Sequence, residues 1–133
     1  MPAFKGTLLN ARSVVYADPG KGGTIGSHFA EVLERLGISE QMKPKAVLVP
    51  GAQRPEVPPR GKAEPGIGQT SEIVPLPGVG LVGPFPADLG DFTLFSAGTG
   101  IASTSLEDPG APVRLLTAEP AARGFRAKGF DPD

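Results

Sequence analysis

An α/β fold is predicted, a small, mostly parallel sheet flanked by helices, and three features of the chain predict it. First, a short apolar run from Ser13 to Tyr16 breaks at Asp18-Pro19-Gly20 and reads as a strand over 13–17. Second, Phe29, Val32, Leu33 and Leu36 recur at i, i+3, i+4 and i+7, so residues 25–36 read as a helix with one apolar face. Third, Lys45-Ala-Val-Leu-Val-Pro50 reads as a second, buried strand stopped by Pro50-Gly51. Strand, helix, strand implies parallel strands and a right-handed crossover.

The other elements follow in order. Gly37 is placed to end the helix, and Ile38 to Met42 can add a short helical turn. Residues 51–65 hold Pro55, Pro58, Pro59 and Pro65. Inside a helix each proline loses an N–H bond and clashes with a carbonyl, at a cost of about 3 kcal/mol or more. Irregular structure with at most one helical turn is therefore expected there. Residues 66–70 read as a short strand, 78–82 as another, and 91–97 as the best late strand, with Phe92, Leu94 and Phe95. Residues 98–109 read as loop. Two weak helices, about 110–116 and 119–128, close the chain, with Gly129 as a stop.

Composition narrows the function classes. A chain of 133 residues suits one core. Its 19 Gly and 16 Pro, about a quarter of the chain, imply long irregular stretches and modest stability. The net charge is −1 with both signs interspersed, so no basic stripe for nucleic acid is formed. The absence of cysteine excludes disulfides, thiol nucleophiles and thiolate metal sites. The N-terminus lacks the apolar core of a signal peptide, and no run approaches a membrane span, so the chain as written is expected in the cytosol, without membrane insertion.

Chemistry concentrates in two stretches. The loop Gly22-Gly23-Thr24-Ile25-Gly26 joins a strand to a helix N-terminus. The first-turn N–H groups of a helix have no intrahelical partners, and its dipole is positive there, so such a junction can hold an anion. The alternative is a tight turn without a ligand. The dinucleotide fingerprint would need glycine where Ile25 stands, and the P-loop would need Ser or Thr after Lys21, where Gly22 stands. A small oxyanion or carboxylate therefore suits the loop better than a nucleotide. Lys21 reads as a solvated lysine. The second stretch is Gln69-Thr70-Ser71-Glu72, at the carboxyl end of the 66–70 segment, where open α/β sheets bind ligands. Gln69 and Thr70 offer neutral donors for an anion, or else belong to a capped short helix, the role read for Glu72. Asp18, Asp91 and Asp108 read as turn residues. His28 is the single histidine and reads as a surface residue. With no further ligands spaced around it, no metal site is expected.

Taken together, the runs Ser13 to Gly51, Gly66-Ile-Gly-Gln-Thr-Ser-Glu-Ile73, Gly78-Val-Gly-Leu-Val-Gly-Pro-Phe-Pro86, Phe92-Thr-Leu-Phe-Ser-Ala97 and Leu115 to Phe130 resemble the substrate-binding proteins of molybdate-type ABC importers. The resemblance implies one lobe of a two-lobed, periplasmic-binding-protein type 2 α/β fold. It covers the later part of such a protein, so 1–133 is expected to be a single partial domain: the second ligand lobe over about 13–90 and a C-terminal return over about 91–130. It implies oxyanion contacts from Gly22, Gly23, Thr24, Ile25 and Gly26 and from the Gly51-Ala52-Gln53 turn, beside the Gln69 and Thr70 donors read above. Gln69 stands where molybdate binders place a tyrosine, which leaves other oxyanions or another small ligand open. A periplasmic location and an ABC permease partner are implied for the full-length family.

The expected role is thus a solute-binding module, monomeric, without cofactor or metal and not an enzyme, present here as a lobe without its partner lobe. Two alternatives stand beside it. One is a small α/β enzyme using the 20–26 loop for a phosphate or carboxylate substrate. The other is a remnant that no longer binds.

Overall fold

In the computed structural model, residues 2–50, 65–96, 108 and 110–131 are described. The chain divides into two compact units, residues 1–91 and 92–133.

The first unit opens with helix α1 (Pro2–Asn10), followed by strand β1 (Val14–Ala17), a 3-10 turn (Pro19–Lys21) and helix α2 (Thr24–Arg35). Helix α3 (Ser39–Met42), a second 3-10 turn (Lys43–Lys45), strand β2 (Ala46–Val49) and helix α4 (Thr70–Ile73) come next. The two strands pair in parallel, Val14 opposite Ala46 and Ala17 opposite Val49, with α2 as the crossover. The predicted strand–helix–strand unit is therefore present. All three elements lie within a residue or so of the expected boundaries.

The core lies where α2 lays its apolar stripe on β1. Phe29, Val32, Leu33 and Leu36 are buried together with Val14, Tyr16, Ile38, Met42 and Leu89. The Tyr16 and Phe29 rings meet edge to face at 4.9 Å, a favourable arrangement of their quadrupoles. Helix α1, absent from the sequence reading, closes the core from another side. Leu8 is buried, with Phe4 and Leu9 packed against the cluster. Lys5 Nζ donates to the Leu36 carbonyl at 2.7 Å, neutralising one of the open acceptors at the end of α2.

Several readings are corrected. The second strand is not buried: Val47 and Leu48 are nearly half exposed. It pairs through its backbone with β1 but sits at the edge of a two-stranded sheet. Residues 66–70 form no full strand. A single parallel bridge joins Gly66 to Val15, with Ile67 N donating to the Val15 carbonyl at 2.8 Å, and α4 begins at Thr70. Residues 78–82 and 91–96 are irregular. Val82 is fully exposed, and Phe92 and Leu94 are 89% and 86% exposed, so the apolar side chains of these runs are not covered. The proline-rich segment 51–64, Ala97 and most of 98–109 lie outside the described residues.

In the second unit, α5 (Ala111–Thr117) and α6 (Glu119–Arg126) match the two closing helices. Arg126 pairs with Glu119 at 3.3 Å, Arg114 pairs with Asp108, and Phe130 packs on Phe125 and Phe95 at 5.7 and 5.8 Å.

Tyr16 gives the first unit an alkaline limit. Burial pushes its phenol above the usual tyrosine value, and the Asp18 carboxylate pushes it the same way. The folded state therefore holds this proton more tightly than the unfolded chain does. Its contribution is complete below a pH of about 10 and is lost as pH rises through the elevated folded value. Urea midpoints are expected to fall above that pH, and Tyr16→Phe should flatten the fall. Identical alkaline profiles for the two proteins would contradict the assignment.

Candidate anion-binding hollow

At the carboxyl end of β1 the chain turns sharply to enter α2. Asp18 caps the 3-10 turn, its Oδ1 accepting from Gly20 N at 2.9 Å, as its turn role predicts. Gly22 follows at φ 80°, a left-handed conformation that a side chain would strain. Gly23 is the N-cap of α2 and has no side chain to bond the first-turn amides. Gly26 has a different task. A Cβ there would lie 2.2 Å from the Ala17 carbonyl oxygen and 3.2 Å from Pro19 N. Glycine thus lets the helix start directly against the end of the strand.

This close approach leaves a hollow of about 250 Å³ beside the helix N-terminus. Gly22, Gly23, Thr24 and Ile25 form one side; Ile67, Gly68, Gln69 and Glu72 form another, with Ala17 and Val49 at the strand ends. Of the residues that the sequence singled out, the structure thus brings Gly22, Gly23, Thr24, Ile25 and Gln69 to one place. Gly26 is buried under Ala17 and does not line the hollow, and Thr70 is the first residue of α4 and does not line it either. Gln53 lies outside the described residues.

Glu72, read from sequence as a helix-capping residue, is the one ionisable side chain among the described lining residues. It lies close to Gly68: the position of a Gly68 Cβ would be 3.8 Å from Glu72 Oε2, an ordinary contact distance. The signal available in sequence was the spacing itself, since Gln69 and Glu72 are three apart and share a face once Thr70–Ile73 is helical.

His28 is not the solvated residue expected. Its side chain is 18% exposed, stacks on Phe85 at 5.9 Å, and places Nε2 2.9 Å from the Leu89 carbonyl. A carbonyl only accepts, so Nε2 carries the proton. Nδ1 faces Asp91 at 4.0 Å. With Arg35, which donates to the Asp88 carbonyl at 2.7 Å, it fastens residues 85–91 to α2 and takes no part in the hollow.

A family model for bacterial extracellular solute-binding proteins matches residues 4–131. The chain belongs to this family. An aconitate isomerase of a Pseudomonas species is 31% identical to this chain over 133 aligned positions, which cover 99% of the chain. The chain spans about half (49%) of that relative's length. No solved structure matches it. The family supports the predicted binding role and fold. The expectation that the chain is not an enzyme is corrected, because the isomerase, similar along the whole of this chain, is itself an enzyme. The sequence reading keeps a small enzyme only as an alternative, for want of a credible base, nucleophile or metal cluster, and places Glu72 at a helix end. Among the described residues, no helix is long and apolar enough to cross a membrane.

Proposed function

We propose that this chain is a ligand lobe that binds a small organic carboxylate at the start of α2. The observation that carries the reading is the uncapped N-terminus of a twelve-residue helix bordering a hollow. Its amides and dipole favour negative charge, and the lining glycines let a ligand approach the backbone. Gln69 lines the same hollow. Aconitate, named for the isomerase relative, carries carboxylates, the group that these amides attract. Delivery of a solute to an importer and isomerisation of a solute both begin from such a bound anion. A molybdate-type oxyanion would use the same amides and is the second reading, supported by the neutral character of the lining apart from Glu72.

Gly23→Asp tests the site. Gly23 has an extended conformation, φ −78° and ψ 120°, that a side chain can adopt. An aspartate there would cap the helix with its own carboxylate. Succinate is expected to shift the backbone amide resonances of 22–25 in the wild type at millimolar concentration. It should leave them unmoved in Gly23→Asp, while thermal stability holds or rises by a few tenths of a kcal/mol. Equal shifts in both proteins would place the anion elsewhere, and molybdate acting where succinate does not would favour the second reading.

A further inference from the structure

We infer that Glu72 sets the class of solute: a carboxylate at one end and a hydrogen-bond donor, not a second free carboxylate, at the other. This rests on the reading of the hollow as a carboxylate site. The hollow is bipolar. One side is the N-terminal end of α2, which attracts negative charge, and across from Gly22–Ile25 stand Gln69 and Glu72. An ionised carboxylate accepts hydrogen bonds and donates none.

Among the described lining residues no lysine, arginine or histidine offsets Glu72. Its placement follows from the fold: α4 starts at Thr70, one residue after Gln69, and carries Glu72 beside Gly68 at the rim. A ligand long enough to reach from the α2 amides to this rim meets an acceptor. A hydroxyl, amide or amino group there gains a charge-assisted hydrogen bond. A second carboxylate meets like charge, with solvent reducing but not removing the repulsion, since Glu72 is exposed. Aconitate, with its three carboxyl groups, would press a further anion toward this rim. The preferred solute of this chain therefore differs in class from the one named for its isomerase relative.

Succinate and its monoamide, succinamate, differ only in the group at one end and provide the test. The whole chain, labelled with nitrogen-15, is titrated with each, and the Gly22–Ile25 amides are followed by NMR. The wild type is expected to bind succinamate about tenfold more tightly than succinate. Glu72→Gln, an exposed substitution that keeps the shape, should bring the two within about twofold, because glutamine can donate to a carboxylate. A wild-type preference for succinate, or an unchanged ratio in Glu72→Gln, overturns the inference and leaves the carboxylate site standing. If neither compound moves those amides at millimolar concentration, the reading of the hollow fails and the inference falls with it.

Discussion

Gly26→Ala is expected to destabilise the first unit by about 3 kcal/mol or more, at the upper end of what overpacking costs. The added methyl group would sit 2.2 Å from the Ala17 carbonyl oxygen, 2.9 Å from its carbon and 3.2 Å from Pro19 N. All three are backbone atoms, so no flexible side chain can swing aside. Relief requires α2 to lift from the end of β1, which would also open the core beneath Phe29. Against a total stability of about 5–15 kcal/mol, such a loss populates unfolded chain measurably. Urea denaturation followed by circular dichroism reads it directly. Gly6→Ala is the matched control: nothing lies within 4 Å of its Cβ, and it sits inside α1. Alanine there should stabilise by about 0.5–1 kcal/mol. A Gly26→Ala protein with a wild-type midpoint would show that the strand–helix contact is not as tight as described.

Phe29→Ala is expected to cost about 3–5 kcal/mol. Phe29 is wholly buried, meets Tyr16 at 4.9 Å and stacks near Phe85 at 6.0 Å. Its ring joins β1 to the 85–91 segment through α2, so its removal leaves a cavity that neither neighbour can fill without moving. Hydrogen exchange separates this effect from local loosening. Protection should fall together in α2, β1 and around Leu89. A loss confined to one of the three would mean that the first unit is not a cooperative body.

The parts of this fold that were legible in sequence are those in which local pattern and tertiary packing agree. Helix α2 carries an uninterrupted apolar stripe and ends where Arg35 and Gly37 suggest, because the core it meets is one-sided. Helix α1 was missed because Gly6 and Thr7 weaken local propensity; its helicity comes from seating Leu8 in a core built elsewhere in the chain. The apolar runs 78–82 and 92–95 have strand composition, but composition cannot supply a neighbouring strand. Burial of Val47 and Leu48 was misjudged for a related reason, since strand residues are covered only when a further layer packs on them.

The hollow was legible on one side. Glycines before a helix signalled the Gly22–Ile25 side, because backbone amides follow from chain geometry alone. The facing side depends on Pro65 and Ile67 hydrogen-bonding to Val15, a long-range pairing that brings Gly68, Gln69 and Glu72 to the helix end. No local pattern encodes that meeting. His28 was misread for the same reason, because its partners lie 61 and 63 residues further along the chain.

The tight seat of Gly26 divides labour along five consecutive positions. Gly26 is locked by backbone against Ala17, whereas Thr24 next to the cap is exposed, as is Glu72 across the opening. Substitutions at Thr24 and Glu72 therefore change the lining of the hollow, and on the proposed reading what it recognises, without disturbing what holds the fold upright. A lineage with this architecture is free to explore new solutes at small thermodynamic risk, and a protein engineer can do the same by randomising those two positions while leaving residue 26 alone.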